Sequence, residues 1–331
     1  MSITKKFSIV QAGAIKEKIS RNYKEIEKIV SDVYYSHKKK QHINPASSFL
    51  RFPDQPQNRI IALPAHVSHQ GEGVSGVKWI ASYPGNPRQE GIPRASGVLI
   101  LNCGKTGFPF ACMEAGNISS ARTAASATLG AYYLNHKKRF VRQICFIGAG
   151  AISEQILRFF KGTGWDFDDL VVYDQDIKRA EMFCEMAQFS GKRTRVSSSL
   201  KGAIEDSDIV VFATTALEPY VHASTYFSHA PIVLHISLRD LSEKIMQTSF
   251  NITDDTEHCL QANTSLARAV SEIGHKKFID GTIADCIDEN LKVPQGKTRI
   301  FSPFGMGILD IAVGTYIYEK CSLRVEIEDF F

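Results

Sequence analysis

Apolar residues near the start of the chain recur every three or four positions. They are Ile15, Ile19, Tyr23, Ile26, Val30 and Val33. This spacing puts one apolar stripe on an α-helix, so the pattern predicts a single amphipathic helix that ends near Lys38. The basic residues 37–40 are typical of a solvated helix end, an interpretation that we prefer to a nucleic-acid-binding patch.

Short apolar runs bounded by turn residues come next. They cover residues 59–63, 73–80, 96–101 and 110–114. Runs of this length predict strands, and the segment 102–109 predicts a hairpin turn between the last two. Residues 118–134 are rich in alanine and serine, which indicates a helix that packs closely against its neighbours.

From residue 143 onward the pattern changes to strands that alternate with helices. The strand candidates are 143–147, 169–173, 208–213, 231–236 and 249–253. This alternation predicts a parallel sheet. A short strand is expected at 299–301, an apolar helix at 305–320 and a mobile loop at 283–297.

We therefore predict an α/β fold with a Rossmann doubly wound parallel sheet. That sheet, in residues 126–304, is inserted into a discontinuous α+β substrate domain made of residues 1–125 and 305–331. The length of 331 residues fits two domains.

The apolar run that begins at Gln143 ends in Gly148-Ala-Gly-Ala-Ile-Ser153. A strand, a glycine turn and a helix start are typical of a dinucleotide-binding site, in which the second glycine lets the backbone approach a pyrophosphate. Serine takes the third position, where a glycine or alanine is usual. The predicted cofactor-binding residues of this turn are Gly148, Ala149, Gly150, Ala151 and Ile152. The alternative is a Rossmann fold that binds no nucleotide.

Asp174 ends the second strand, at the expected distance beyond the glycines. A carboxylate there accepts hydrogen bonds from both ribose hydroxyls and repels a 2′-phosphate, which favours NAD as the cofactor. Lys178 and Arg179 lie nearby and leave NADP open.

Further cofactor contacts are predicted at the carboxyl ends of two later strands. Thr214 and Thr215 follow the strand at 208–213, and Ser237 follows the strand at 231–236. Cofactors bind at this edge of a parallel sheet. The alternative for the two threonines is an ordinary loop start.

Four cationic residues stand within or beside apolar segments and are candidate substrate ligands: Arg51, Lys78, Arg94 and Arg122. Arg122 lies in a run of small residues, where a buried guanidinium needs an anionic partner. Internal salt bridges are the alternative for the three arginines, and a snorkelling surface lysine is the alternative for Lys78.

Asp240 follows a predicted sheet strand, where a carboxylate is suited to acid/base chemistry or to activating water. A helix N-cap is the alternative. His66, His69 and His235 are further candidates, although single histidines are more often structural.

Composition excludes several classes of function. The net charge is +4, and no aromatic-interleaved basic motif accompanies it. Seven scattered cysteines without a Cys-x-x-Cys pair, and no histidine cluster at ligand spacing, fit reduced cytoplasmic thiols and no metal site. No apolar run approaches the roughly 18 residues of a membrane helix, and no secretory signal is expected.

Several stretches together resemble the ornithine cyclodeaminase/mu-crystallin family, over nearly the whole chain. They are Gly76–Trp79, Thr106–Pro109, Ile118–Ala125, Phe146–Gly150, the Asp240 segment and Phe304–Gly307. The resemblance implies a homodimer in which Lys78 and Arg122 hold the substrate carboxylate. It also implies that Asp240 is the catalytic acid/base, that Lys78 takes part in catalysis, and that Thr123 contacts the cofactor.

Within the family, three stretches resemble the dehydrogenases of 2,3-diaminopropionate biosynthesis in siderophore pathways. They are Arg59–His66, Lys78–Ile80 and Arg94–Asn102. This implies NAD-dependent cleavage of N-(2-amino-2-carboxyethyl)-L-glutamate, a tricarboxylate, into 2-oxoglutarate and 2,3-diaminopropionate. A PLP-dependent synthase would be the pathway partner.

The chain departs from the cyclodeaminases directly after Asp240. They carry an Asp-Cys-Pro-Gly-Lys run, whereas this chain has Asp240-Leu-Ser-Glu-Lys244. That difference weakens ring-closing deamination of ornithine as the activity. A cyclodeaminase, an amino-acid or ketimine reductase, and a mu-crystallin-like nucleotide-dependent binding protein remain the alternatives.

Overall fold

The computed structural model describes residues 6–69, 72–187 and 192–331. The chain divides into two compact units. The first is Met1–Arg122 with Met306–Phe331, and the second is Thr123–Gly305. The predicted boundaries at 125/126 and 304/305 lie within three residues of these positions.

The first unit is built on a seven-stranded mixed sheet with the order β15-β1-β6-β5-β4-β3-β2. Its strands are β1 (Phe7–Val10), β2 (Ser48–Arg51), β3 (Arg59–His69), β4 (Glu72–Ser82), β5 (Ala95–Cys103), β6 (Pro109–Glu114) and β15 (Val325–Ile327). Only the β1–β6 pair is parallel among the pairings described. The hairpin predicted at 102–109 is confirmed, with Gly107 in the left-handed region at its turn.

Side chains of this sheet alternate between a covered and an open face. On β5, Leu99 and Leu101 face one side of the sheet and are fully buried. Val98 faces the other side and is 38 % exposed. Helix α12 (Gly307–Lys320) contacts β3, β4 and β5. Full burial of one leucine contributes about 1.5–3 kcal/mol, so a shift of register by one residue would be costly.

The other helices of the first unit are α1 (Ala12–Arg21), α2 (Tyr23–Lys38) and α3 (Asn86–Gln89). The single helix predicted up to Lys38 was wrong, because the helix breaks at Asn22. The Asn22 side-chain amide donates to the Lys18 carbonyl at 2.7 Å, and its oxygen accepts from the Tyr316 hydroxyl at 3.0 Å. An asparagine that bonds nearby backbone in this way competes with helical hydrogen bonding.

Helix α4 (Ala115–Leu134) crosses the boundary between Arg122 and Thr123. Its first turn is capped by Glu114, whose carboxylate accepts the backbone N–H groups of Gly116 and Asn117. A carboxylate at this position also complements the positive end of the helix dipole.

The second unit contains an eight-stranded, wholly parallel sheet with the order β13-β12-β14-β11-β10-β7-β8-β9. Its strands are β7 (Phe140–Ile147), β8 (Asp166–Tyr173), β9 (Arg193–Val196), β10 (Ile209–Phe212), β11 (Ile232–His235), β12 (Phe250–Thr253), β13 (Ile279–Thr282) and β14 (Arg299–Ser302). The predicted doubly wound parallel sheet is confirmed, and the strand order reverses between β7 and β10, where such folds bind ligands.

The helices of the second unit are α5 (Ala151–Gly162), α6 (Ile177–Ala187), α7 (Leu200–Ile204), α8 (Glu243–Thr248), α9 (Thr256–Leu260), α10 (Ser265–Ile273) and α11 (Ile283–Ile287). The prediction of a loop over residues 283–297 is therefore wrong for residues 283–287, which form α11. Thr282 and Asp285 form a capping box that begins α11. In the described part of the chain, no helix is long and apolar enough to cross a membrane.

Candidate functional site

The glycine turn joins β7 to α5 in the form that the sequence predicts. Gly148 has φ +96°, and a Cβ there would lie 2.7 Å from the Ala213 carbonyl oxygen, so only glycine fits. Gly150 is the N-cap of α5 and has no side-chain cap, which leaves backbone N–H groups directed outward. The Ser153 hydroxyl donates to the Gly148 carbonyl at 2.5 Å, which explains a serine at the third position.

Asp174 links this turn to the end of β8 through hydrogen bonds. Its carboxylate accepts the backbone N–H of Ala149 at 2.8 Å and that of Asp176 at 2.9 Å. Open space around Gly150, outward N–H groups and a carboxylate at the neighbouring strand end fit a dinucleotide. Contact of Asp174 with a ribose, and of Thr123 and the exposed Thr215 with the cofactor, stay predictions.

Asp240 is fully buried beyond β11, in the same unit, and four side chains surround its carboxylate. The Thr214 hydroxyl at 2.5 Å and the Tyr220 hydroxyl at 3.1 Å donate to Oδ1. The Ser237 hydroxyl donates to Oδ2, and His235 Nε2 lies 3.2 Å from the same oxygen. Sequence reasoning did not select Tyr220 at this site. It named His235 only as a possible participant and did not place it beside Asp240.

This environment keeps Asp240 ionised. Burial alone would raise the pKa of Asp240, but His235 and the Ser237 and Thr214 hydroxyls outweigh burial and hold that pKa below its usual value. Burial and the Asp240 charge raise the pKa of Tyr220, so its hydroxyl remains a donor. The alternative of a helix N-cap is wrong for Asp240, since Ser242 is the N-cap of α8.

His235 lies between Asp240 and Ser302. The Asp240 backbone N–H donates to His235 Nε2 at 3.2 Å. The same nitrogen lies 3.2 Å from Asp240 Oδ2, and Nδ1 lies 3.4 Å from the Ser302 hydroxyl. His235 therefore holds the Asp240 backbone in place beside the end of β11. His66 bonds Ser75 at 2.9 Å on the β3–β4 hairpin, and the side chain of His69 lies outside the described residues.

A second polar cluster lies inside the first unit and contains Lys78, Ser119, Arg122 and Asp310. Lys78 Nζ donates to Asp310 Oδ2 at 2.7 Å, and Arg122 Nε donates to Oδ1 at 3.2 Å. The Ser119 hydroxyl oxygen lies 3.0 Å from Lys78 Nζ and 3.3 Å from Arg122 Nη2. The internal salt bridge considered for Arg122 is thus observed, and it includes Lys78.

Both cations of this cluster contact the same carboxylate, that of Asp310. Burial, opposed by Asp310 and aided by Arg122, lowers the pKa of Lys78 to about 8. Sequence reasoning missed Asp310, although a lone carboxylate between Leu309 and Ile311 in an apolar helix was a usable signal.

The remaining predicted cations lie along one row of the same sheet face. Arg51 pairs across the sheet with Arg59, and Arg59 pairs with Ser82. Ser82 lies on the Lys78 face of β4, because residues two apart share a face. The Ser82 hydroxyl accepts from half-buried Arg94 at 3.0 Å, and Arg51 is exposed over the Phe49 ring.

No carboxylate of the described residues lies within ion-pair distance of Arg94. Burial lowers the pKa of its guanidinium. Arg59, which sequence reasoning did not select, is the cross-strand neighbour of Arg51. Like charges placed directly opposite in a sheet are destabilising, so an anion bound there would be stabilising.

Comparison with known proteins agrees with this architecture. Residues 9–234 match the model of the ornithine cyclodeaminase/mu-crystallin family. The N-((2S)-2-amino-2-carboxyethyl)-L-glutamate dehydrogenase of Staphylococcus aureus is 26 % identical over 302 residues, 88 % of each chain.

Two solved structures share the fold. The Δ1-pyrroline-2-carboxylate reductase of Thermococcus litoralis, in complex with NADH and L-proline, has a TM-score of 0.86 at 22 % identity, covering 95 % of this chain and 97 % of that one. An archaeal alanine dehydrogenase dimer with bound NAD has a TM-score of 0.86 at 24 % identity, covering 98 % and 100 %. The family model, which matches more than half of the residues, shows that this chain belongs to the ornithine cyclodeaminase/mu-crystallin family.

Proposed function

We propose that this protein is an NAD-dependent oxidoreductase acting on the CH–NH bond of an amino-acid derivative. We further propose N-(2-amino-2-carboxyethyl)-L-glutamate as the substrate. With NAD and water it would give 2-oxoglutarate, L-2,3-diaminopropionate, NADH and a proton. The observation that carries this proposal is the group of cations on the Lys78 face of the first unit's sheet: Lys78 and Arg122 meet at Asp310, and Arg94 has no described carboxylate within ion-pair distance.

The chain's own residues have separable tasks in this reaction. Lys78 and Arg122 hold the α-carboxylate beside the carbon that is oxidised, because these two cations meet in one buried cluster. The glycine turn and Asp174 hold NAD, which accepts the hydride when bound. Loss of hydride leaves positive charge on the substrate nitrogen, and the Asp240 anion stabilises positive charge in a buried site.

A tricarboxylate needs further cations beyond Lys78 and Arg122. Arg94 and the Arg51–Arg59 pair lie at the row of Ser82, four residues along β4 from Lys78. Four strand residues span roughly 13 Å. The arginine side chains at the Ser82 end of that span can reach the two remaining carboxylates of the tricarboxylate. A substrate such as alanine or proline lacks these two groups.

Turnover assays test this proposal. The purified protein, NAD and the synthetic aminocarboxyethyl-glutamate are mixed, NADH is followed at 340 nm, and both amino-acid products are identified by mass spectrometry. L-alanine, L-proline and L-ornithine serve as competing substrates. Net NADH with the tricarboxylate alone supports the proposal. Ornithine converted to proline without net NADH would establish a cyclodeaminase, and ligand binding without any turnover would establish a binding protein.

An Arg94→Gln variant sharpens that assay. We expect a rise in KM for the tricarboxylate of roughly tenfold or more, because a charge-assisted contact contributes about 1.5–3 kcal/mol. Arg88→Gln, in the short helix α3, is the matched control and should leave KM unchanged. An equal effect of both variants would remove Arg94 from the substrate site.

The open face of the first unit's sheet supports a homodimer. Apolar side chains meet across the strands on this face and none is fully buried: Ile9, Ile60, Ala62, Val77, Trp79, Ala81, Val98, Ile100 and Cys112. Trp79 is 43 % exposed. A contiguous apolar patch of this kind is typical of an association surface. A PLP-dependent synthase that supplies the substrate, a siderophore pathway and a cytoplasmic location belong to the same proposal.

A further inference from the structure

The cluster in the first unit is a closed ring of four side chains from three elements. Lys78 comes from β4, Ser119 and Arg122 lie one turn apart on α4, and Asp310 lies on α12. Each cation contacts both Asp310 and Ser119, at distances between 2.7 and 3.3 Å. Among the residues that the structure describes, Asp310 is therefore the one charged side chain that contacts both cations.

We propose that Asp310 is the positioning residue of the carboxylate-binding site, fixing the spacing of Lys78 and Arg122 and keeping Lys78 protonated when substrate binds. This inference rests on the proposed function, because it assigns the carboxylate as the ligand of these two cations. Asp310 acts through them and needs no contact with substrate.

The packing of α12 leaves Asp310 little freedom to move. Asp310 is fully buried, as are its neighbours Leu309 and Ile311. Two glycines of the same helix fit against the sheet: a Cβ on Gly307 would lie 3.1 Å from the Leu63 carbonyl oxygen, and one on Gly314 would lie 2.2 Å from a Leu99 methyl carbon. The helix is thus held in one register, which aims the carboxylate at Lys78.

Charge is the second part of the argument. The groups around Lys78 are Leu63 and Leu99 on the adjacent strands, Ser119 and Arg122 on α4, and Asp310 on α12. Asp310 is the only one of these that raises the pKa of Lys78, which burial and Arg122 lower to about 8. Without the Asp310 charge, the pKa of Lys78 falls further, and Lys78 loses its proton at a lower pH.

Binding of 2-oxoglutarate to the enzyme–NADH complex, followed by NADH fluorescence from pH 6 to 9.5, measures this effect. The carboxylates of this probe stay ionised throughout, so only the protein titrates. Wild-type affinity should fall above about pH 8 as Lys78 loses its proton. In Asp310→Asn the fall should begin about one to three pH units lower, the usual effect of one adjacent opposite charge. Asp310→Glu should restore much of the wild-type profile.

Matched variants separate positioning from folding. Glu319→Gln removes the same charge from an exposed site on the same helix and should leave the profile unchanged. Ser119→Ala removes a neutral partner of both cations and should weaken binding equally at every pH. If Asp310→Asn weakens binding without moving the profile, the role of Asp310 is structural and the inference is overturned. If Asp310→Asn does not fold, Ser119→Ala decides, since a shift of a full pH unit in that variant would contradict the assignment to Asp310.

A second readout needs no substrate. Titration of the lysine Nζ signals by NMR, with Lys78→Met to assign the resonance, gives the pKa of Lys78 in wild type and in Asp310→Asn. A lower value in the variant supports the inference even if 2-oxoglutarate fails to bind, which would count against the proposed substrate alone. Equal values in both proteins would overturn the inference and leave the proposed function standing.

Discussion

Asp240→Asn is the most direct test of the second unit's buried cluster, because it removes one charge and changes the size of the side chain little. The carboxylate receives hydrogen bonds from the hydroxyls of Thr214, Tyr220 and Ser237, and His235 Nε2 lies 3.2 Å from Oδ2. An asparagine has a single acceptor oxygen. Whichever way the amide faces, its NH₂ group points at one or two of these hydroxyl donors.

The size of the effect follows from that count. A hydrogen bond to a charged group contributes about 1.5–3 kcal/mol, and one between neutral groups about 0.5–1.5 kcal/mol. The difference over three bonds is about 3–4.5 kcal/mol. Because the three donors are hydroxyls that can rotate and accept from the amide, we expect a loss of about 2–4 kcal/mol. That loss corresponds to a fall of about 5–15 °C in the Tm of this unit.

The assay pairs scanning calorimetry at pH 7 with turnover on the proposed substrate. Asp208→Asn is the control, since Asp208 also accepts two N–H groups, those of Arg142 and Gln143, and no site residue takes part. The control should lower Tm alone, whereas Asp240→Asn should lower both Tm and kcat. A wild-type Tm for Asp240→Asn would refute the view that the three hydroxyl donors need an anion.

The pH dependence gives an independent check. The pKa of Asp240 in the folded state lies below its unfolded value. Its contribution to the free energy of unfolding is therefore present above about pH 4, the unfolded value, and is lost as the pH falls through the folded pKa. Wild type and Asp240→Asn should thus converge in stability in acid, and a constant difference at all pH values would contradict this account.

Three further results are expected. Gly148→Ala should weaken NADH binding at least about tenfold, read by fluorescence, because its Cβ would meet the Ala213 carbonyl at a left-handed position; unchanged affinity would contradict the turn geometry. The contribution of Lys78 to the free energy of unfolding should rise from about pH 8 to 10.5, since folded Lys78 loses its proton before the unfolded chain does; the difference between wild type and Lys78→Met in urea titrations should show this slope, and a pH-independent difference would contradict it. Trp79→Glu should yield a monomer in light scattering, whereas Ile177→Glu, at an even more exposed apolar site on the second unit, should leave the oligomeric state unchanged.

Regular local patterns account for what sequence reasoning predicted. The parallel sheet follows from alternating apolar runs. The glycine turn follows from Gly148, whose left-handed conformation few other residues adopt, and from Gly150, which has open space around it at the helix start. Lys78 and Arg122 were selected because charge amid small or apolar residues requires a partner. These signals all lie within a few residues of the feature that they predict.

Features that depend on distant parts of the chain were missed. The partner of Lys78 is Asp310, 232 residues further along, and no local pattern links the two. Strands β1 and β15 are short and pair with each other from opposite ends of the chain. The donors to Asp240 come partly from irregular segments such as that of Tyr220, where side-chain direction is set by tertiary contacts rather than by periodicity.

The two clusters also differ in which of them can supply a proton. Cleavage of the proposed imine releases an amine that must be protonated as its bond to carbon breaks. A general acid works best with a pKa near the working pH, and Asp240, held ionised by its surroundings, can give a proton only after it has taken one from the attacking water. Lys78, with a pKa of about 8, has a proton before the reaction begins. Within the proposed function, Lys78 is therefore a second candidate for the donor role that the family resemblance gives to Asp240.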